Sequence, residues 1–264
     1  AEGLLDNYTS TFKPGAGGAV GLGAFQEIKG KPESVLVTGI AMTGGLYSNK
    51  SPLNLLASTP VAKVLREYDA IVVPANSKYR TLKQLMDDLV AKPNSVAIAG
   101  GSKGGIDHQV IGLLAQKASI DPTKLNYVVF SGGPEVITSV LSGSTQVGIS
   151  GSSEFNAFVS SGKLRVLGVS SSKALPGFKG KTFVSQGYDL VYGNWRGIMA
   201  PADLPKADYL NLIKVIDIMH VSPSWQAQLK KNNWDNEFAA GTAFKAFLEK
   251  HIPEINTVMK GLGI

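Results

Sequence analysis

The regular alternation of strand-like and helix-like segments between residues 96 and 170 constrains the fold of this chain most. Short apolar runs are each followed by a loop of small residues and then by a segment with helical apolar spacing. Such an alternation is typical of parallel strands joined by right-handed helical crossovers. We therefore predict an α/β fold with mostly parallel sheets flanked by helices.

Breaks in this pattern indicate how the chain is divided. Of the 264 residues, 44% are hydrophobic and 17% are charged, as expected of a globular chain with a substantial core. The break near Pro93 and the return near Gly193 predict two α/β domains joined by two crossings. We predict that residues 1–94 plus 198–264 form domain 1 and that residues 95–197 form domain 2. Two lobes joined in this way can close on a ligand.

Charge and residue usage exclude several function classes. The chain has 26 basic and 20 acidic residues, a formal net charge of +6, three histidines and no cysteine. Without cysteine there is no disulfide framework, thiolate metal site or cysteine nucleophile. The basic residues are not interleaved with aromatic residues in a stripe, so we expect no nucleic-acid partner. No H-E-x-x-H motif or carboxylate cluster is visible, so we expect neither a metal nor a cofactor.

The stretch VAIAGGSKGGIDH, residues 96–108, joins a predicted strand to a predicted helix through a loop almost without side chains. Backbone N–H groups and the positive end of the helix dipole bind small anions at such junctions, and glycine lets a ligand approach closely. Lys103 adds a positive charge and His108 a hydrogen-bond donor. The spacing matches neither a P-loop nor the dinucleotide fingerprint. A tight connection whose glycines serve packing alone is the alternative.

Several motifs occur in order along nearly the whole chain: FKPGAGGAVGL, AGGSKGGIDH, FSGGPE, GISGSSEF, SSGKLRVLGVSS and YGNWRGIMAPADLP. Together they resemble the substrate-binding proteins of tripartite tricarboxylate transporters, the TctC or Bug family. The resemblance implies a two-lobed periplasmic-binding-protein fold, of the Venus-flytrap, type II-like kind. It also implies an exported periplasmic receptor that captures a di- or tricarboxylate such as citrate between its lobes. Delivery to a membrane permease would follow, with no bond chemistry, and we expect a monomer.

The resemblance places ligand-binding residues at the ends of strands in both domains. We predict that residues 40–45, IAMTGG, form a loop after a strand that faces the ligand. The guanidinium of Arg196, near the second crossing, can bind a distal carboxylate, although a salt bridge with an Asp or Glu at the hinge is the alternative. The predicted ligand-binding residues are Ala41, Met42, Thr43, Gly101, Ser102, Lys103, Gly104, His108, Ser131, Gly132, Ser150, Gly151, Ser152, Ser153 and Arg196.

One departure from the family pattern concerns the start of the sequence. Family members carry, ahead of the PGAGG loop, a first strand that ends in a PGGG-type loop with a nearby aspartate, and that loop holds one ligand carboxylate. The sequence begins after this point and shows no signal-peptide pattern. We therefore expect domain 1 of this chain to lack a central strand, and the site to lack one of its two cradles.

Two other function classes are compatible with the sequence. An α/β hydrolase acting on a small anionic substrate would carry G-x-S-x-G at a strand-to-helix turn, and the nearest segment, residues 148–152, lacks the final glycine. A module that binds a partner without any small ligand is the other class. Turnover of an ester or a phosphate would favour the enzyme, whereas failure to bind any carboxylate would favour the partner-binding module.

Overall fold

The computed structural model describes residues 7–264. Its α-helices are α1 (Ala19–Gln26), α2 (Ile40–Ser48), α3 (Leu82–Ala91), α4 (Ile106–Lys117), α5 (Gly133–Leu141), α6 (Ser152–Ser160), α7 (Lys206–Val221), α8 (Pro223–Asn232) and α9 (Thr242–Gly261). Its strands are β1 (Leu36–Gly39), β2 (Thr59–Pro74), β3 (Ala97–Gly100), β4 (Asn126–Val129), β5 (Val147–Gly151), β6 (Leu164–Val169), β7 (Gly193–Ala200) and β8 (Ala239–Ala240). This alternation confirms the predicted α/β class.

The chain forms two compact units. Unit 1 comprises the residues up to Arg66 together with Trp195–Thr257, and unit 2 comprises Glu67–Asn194 together with Val258–Ile264. The predicted break near Pro93 thus lies inside unit 2. The segment after Glu67 belongs to unit 2 because the second half of β2 forms ladders with β5 and β6.

Unit 1 is built on antiparallel strand pairs. Strand β1 pairs with β7, with Gly39 opposite Arg196, and the short β8 pairs with the first half of β2. Trp195 is fully buried, and its ring makes edge-on contacts with Phe244 and Phe247 of α9. Burial of Trp195 and Phe244 contributes to the hydrophobic stabilisation of unit 1.

Unit 2 contains a mixed sheet. Strand β3 pairs in parallel with β4 and β5, whereas the second half of β2 runs antiparallel to β5 and β6. The prediction of mostly parallel sheets is therefore wrong in detail. The parallel pairs are those connected through α4 and α5, since parallel strands need a crossover. Strand β2 needs no crossover, because it enters this sheet directly as the continuation of a strand of unit 1.

The start of α3 shows how local sequence sets an element of unit 2. Thr81 Oγ1 accepts a hydrogen bond from Gln84 N at 3.3 Å, and Gln84 Oε1 accepts one from Arg80 N at 2.7 Å. This reciprocal arrangement satisfies backbone donors that a helix start leaves unpaired. Leu85 and Leu89 lie one turn apart and are both fully buried. The sequence around Thr81 thus fixes both the start and the buried face of α3.

The structure corrects the prediction that residues 40–45 form a loop. This segment forms the first turns of α2 rather than a loop, because its small residues serve helix packing. A Cβ atom built on Gly45 would lie 2.6 Å from the Cα atom of Gly17, so only glycine permits this approach of the helix to the PGAGG loop. The correction places three predicted site residues in a helix: Ala41, Met42 and Thr43.

Candidate functional site

Three predicted loops meet at one edge of the unit 2 sheet. Strands β3, β4 and β5 lie side by side and point the same way, so their carboxyl ends lie at the same edge. The loop after β3 leads into α4, the loop after β4 leads into α5, and β5 leads directly into α6. Ligands of α/β sheets bind at such edges. The residues brought to this edge are Gly101, Ser102, Lys103, Gly104, His108, Ser131, Gly132, Ser150, Gly151, Ser152 and Ser153.

Side chains of α4 hold the first of these loops, residues 101–105. Gly101 N donates to Asp107 Oδ2 at 2.7 Å, and Gly104 N donates to His108 Nδ1 at 3.2 Å. Gln109, fully buried, donates from Nε2 to Gly104 O at 2.8 Å. The loop shape is therefore fixed from within the chain, which lowers the entropic cost of ordering it around a ligand.

Tyr127 of β4 holds the same loop from the neighbouring strand. Its hydroxyl donates to Gly101 O at 2.9 Å, and its ring lies where a side chain at Gly100 would project. Gly100 must therefore be glycine for Tyr127 to occupy this position. Burial raises the pKa of Tyr127 well above its usual value, so the phenol keeps its proton and remains a donor.

His108 is a neutral hydrogen-bond donor in this arrangement. Its Nδ1 atom accepts from Gly104 N, so the proton of the neutral ring lies on Nε2. The ring stacks on Tyr127 with centroids 4.2 Å apart and an interplanar angle of 7°. Burial, with a smaller effect from Lys103, lowers the pKa of His108 to about 4. Within residues 7–264 no acceptor reaches Nε2–H, so it is available to an anion.

The second and third loops have their polar groups engaged by acidic side chains of unit 2. Ser131 N donates to Glu135 Oε2 at 2.9 Å, and Ser150 Oγ donates to Glu154 Oε2 at 2.5 Å. The Glu154 carboxylate also lies where a side chain at Gly133, the first residue of α5, would project. A ligand carboxylate at these two loops would have to replace these carboxylates. Gly132 is different, because nothing lies within 4 Å of a Cβ atom built on it.

Two acidic residues beneath the first loop were not among the predicted site residues. Asp69 of β2 is 1% exposed and Asp107 is 6% exposed. Burial raises the pKa of Asp107 to about 6, and the hydrogen bond from Gly101 N opposes this rise. Burial and the neighbouring Asp107 raise the pKa of Asp69 well above its usual value. An acidic residue inside the apolar run YDAIVV is the sequence signal that could have identified Asp69.

The predicted site residues of unit 1 lie on α2 and β7. Thr43 is buried, and its hydroxyl donates to Gly39 O at 3.3 Å, which is a bond within the helix start. Met42 Sδ accepts from Thr38 Oγ1 at 3.4 Å. Arg196 lies in the middle of β7, opposite Gly39 of β1, and is half-buried. A ligand role for these residues stays a prediction.

The unit 2 edge carries hydrogen-bond donors of the kind that bind small anions. No group of three or more His, Asp or Glu side chains suited to a metal ion occurs within residues 7–264. No helix in the described part of the chain has the length and hydropathy that crossing a bilayer requires. The edge offers the neutral Nε2–H of His108, the exposed Lys103 and a glycine loop at the start of α4.

Sequence comparison identifies related proteins. The family model described as "Tripartite tricarboxylate transporter family receptor" matches residues 7–264. A UPF0065 protein encoded in the tcbD–tcbE intergenic region of Pseudomonas sp. (strain P51) is 21% identical over 214 residues, covering 78% of this chain and 62% of that protein. A UPF0065 protein of Bordetella bronchiseptica is 25% identical over 205 residues, covering 76% and 59% respectively. The chain spans about three fifths of the length of these curated relatives.

Structural comparison identifies the fold. The periplasmic binding protein BugD superposes with a TM-score of 0.82 at 20% identity, covering 95% of this chain and 85% of that one. A Rhodopseudomonas palustris protein solved with adipate gives 0.83 at 15% identity, covering 95% and 84%. MatC of the same organism, solved with bound malate, gives 0.78 at 16% identity, covering 93% and 85%. The predicted periplasmic-binding-protein fold is confirmed.

Proposed function

Because this chain belongs to the family of tripartite tricarboxylate transporter receptors, we propose that it is a periplasmic receptor for a small di- or tricarboxylate. It captures the acid and delivers it to the membrane permease of such a transporter. The chain acts as a monomer and carries out no bond chemistry. The family relationship supports the receptor role, and the structures of similar fold belong to periplasmic binding proteins.

The observation that carries this proposal is the preorganised loop 101–105 at the start of α4. Four side chains of unit 2 fix its backbone: Tyr127, Asp107, His108 and Gln109. The loop presents the Nε2–H of a neutral histidine next to a helix N-terminus. Donors that are already oriented bind a carboxylate without the cost of ordering them, and the helix dipole favours the negative charge.

Relatives of the same fold support the proposed ligand class. One similar structure was solved with adipate and another with bound malate, and both molecules are dicarboxylates. The candidate loop supplies donors for one carboxylate, and a ligand with a second or third carboxylate needs further groups. Arg196 is our candidate for a distal carboxylate, since its guanidinium can bind one bidentately. We propose citrate, with malate and adipate as the alternatives of the same class.

The direct test is binding of these acids to the full 264-residue chain. A carboxylate that binds only the native state stabilises it by about 2.7 kcal/mol at one hundred times the dissociation constant, which raises the melting temperature. Citrate, malate and adipate are each compared with acetate and with sodium chloride at equal ionic strength. If none of the three raises the melting temperature at millimolar concentration, the proposed function is wrong.

A matched pair of histidine variants tests the site. His108→Ala removes the Nε2–H donor, and we expect the affinity for the bound acid to fall about tenfold, as for one lost hydrogen bond to a charged group. His220→Ala is the control, because His220 lies on α7 of unit 1 and hydrogen-bonds Asn236. Equal affinities of the two variants would exclude the loop after β3 as the site.

The role proposed for Arg196 has its own test. Arg196→Ala is expected to weaken binding of citrate more than binding of a monocarboxylate, because only citrate has a distal carboxylate. Lys214→Ala, on the exposed face of α7, controls for the loss of one positive charge. If citrate and the monocarboxylate lose equal affinity, Arg196 has a structural role.

A further inference from the structure

Asp69 is a buried acidic residue without a hydrogen-bond donor. Its side chain is 1% exposed, and within residues 7–264 no N–H or O–H donor reaches either carboxylate oxygen. The neighbouring side chain that can share a proton with Asp69 is the carboxyl of Asp107, which is itself buried. An ionised carboxylate in such surroundings, without any donor, would cost several kcal/mol.

Two ionised carboxylates cannot hydrogen-bond to each other, because each is only an acceptor. A hydrogen bond between Asp69 and Asp107 therefore requires a proton on one of them. Asp107 Oδ2 already accepts from Gly101 N at 2.7 Å, which stabilises Asp107 as the ionised partner. The proton consequently belongs on Asp69, whose oxygens receive no other donor.

We propose that Asp69 and Asp107 share one proton at neutral pH, and that this pair positions the Gly101 end of the loop for ligand binding. The hydrogen bonds form a chain from the Asp69 hydroxyl to the Asp107 carboxylate, which also accepts from Gly101 N. Asp69 is in turn held in the sheet, since Asp69 N donates to Ser170 Oγ at 3.0 Å and Asp69 O accepts from Ser170 N at 2.9 Å. Both acids are positioning residues, and the ligand-binding half of the inference rests on the proposed function.

The groups around the pair favour retention of the proton. Glu67 on β2 and Glu154 on α6 act on both carboxyls, and their negative charges disfavour a second ionisation. Tyr127 on β4 is neutral and donates to Gly101 O rather than to either acid. Like charges at close range are known to hold a proton on one of two carboxyls. The pair titrates as a unit.

The first test counts protons. Unfolding the wild-type chain at pH 7 should release about one proton more than unfolding Asp69→Asn, because both acids are ionised in the unfolded chain. Calorimetric unfolding in two buffers of different ionisation enthalpy measures this number. An infrared carbonyl band of a protonated acid should be present at pH 7 in the wild type and absent from Asp69→Asn. Asp217→Asn, on the exposed face of α7, is the control and should match the wild type.

The second test separates positioning from burial. The side-chain amide of Asp69→Asn can always donate a hydrogen bond to Asp107, so its citrate affinity should stay within about threefold of the wild type. Asp69→Ala has no such donor and should bind citrate about tenfold more weakly than the wild type. Equal losses in the two variants would overturn the positioning role.

Two outcomes keep this inference separate from the proposed function. Wild-type unfolding that releases no proton at pH 7 overturns the shared proton, even if Asp69→Asn fails to fold. If the wild type binds no carboxylate, the proposed function and the positioning role both fail, and the proton count still decides whether Asp69 is protonated.

Discussion

Two glycine-rich loops of similar composition have different surroundings in the two units. The PGAGG loop of unit 1 contains Gly15, Gly17 and Gly18 at positive φ angles, and no side chain caps the helix that follows it. The loop at 101–105 in unit 2 has Gly104 alone at positive φ, and polar side chains hold its ends.

The difference shows what the glycines of each loop provide. In the PGAGG loop, Gly17 lets the backbone pack directly on Gly45 of α2, so the role is structural. In the loop at 101–105, a Cβ atom on Gly101 would lie 3.1 Å from Asp107 Oδ2, so glycine allows an acid to bind the backbone from below. Composition alone does not show whether a glycine-rich loop serves packing or offers its backbone to a ligand. The two loops differ in the polar side chains that lie within reach of their N–H groups.

The largest expected effect concerns the packing loop. Gly45→Ala should destabilise the chain by about 3 kcal/mol, because the new Cβ meets backbone atoms that cannot move aside. Gly23→Ala is the control: it also lies within a helix of unit 1, but its Cβ would meet Leu53 at an ordinary 3.5 Å. Gly23→Ala should raise the free energy of unfolding by up to about 1 kcal/mol, because alanine has a higher helix propensity than glycine. Urea unfolding measures both, and equal changes would refute the backbone contact.

His108 should make stability depend on acid pH. Its pKa in the folded chain is about 4, below the usual 6.5, so the unfolded chain binds more protons between these values. The stability that depends on the neutral His108 is complete above pH 6.5 and is lost as the pH falls toward 4, an effect of about 3 kcal/mol. The difference in unfolding free energy between wild type and His108→Gln should therefore be constant from pH 7 to 8 and change below pH 6.5. A difference that does not vary with pH would contradict the neutral histidine.

Tyr127→Phe removes one hydrogen bond that holds the loop at 101–105. The ring still stacks on His108, while Gly101 O loses its donor, and we expect a loss of about 1 kcal/mol in unfolding free energy. Tyr209→Phe in unit 1 is the control, because it removes a comparable hydrogen bond of 3.2 Å from a tyrosine hydroxyl to Pro60 O. Citrate affinity should fall in Tyr127→Phe alone. Equal affinities would indicate that this bond does not orient the loop.

The smallest effect is expected at Gly132. Its backbone is extended and the space around a new Cβ is open, so Gly132→Ala should change stability by less than about 0.5 kcal/mol. Citrate affinity is the informative measurement for this variant. A loss would place the ligand against the loop after β4, and unchanged affinity would leave the strand ends after β3 and β5 as the candidates.

Part of the fold could be predicted from residue patterns because local signals and tertiary packing agree there. The strand before Gly101 and the helix after Gly105 occur where the apolar spacing placed them. The segment 40–45 could not be assigned, because its small residues suit a loop equally well. Only the partner at Gly17 shows that they serve close helix packing.

The candidate site was predictable to a similar extent. Glycines and hydroxyls after strands indicated the edge at which the loops meet. Their hydrogen-bond partners were not predictable, since Glu154 and Asp107 come from the helices that follow, and Asp69 comes from a strand far along the chain. Which donors remain available to a ligand depends on these partners.

The sequence by itself determined the α/β class, the motifs that mark the receptor family and the strand ends where the candidate anion-binding loops lie, because these depend on local spacing and composition. The tertiary structure decided the mixed sheet, the helix at residues 40–48 and the buried acids beneath the loop at 101–105. Strand direction, backbone contacts and proton sharing depend on groups distant in sequence, whose proximity arises only when the chain is folded.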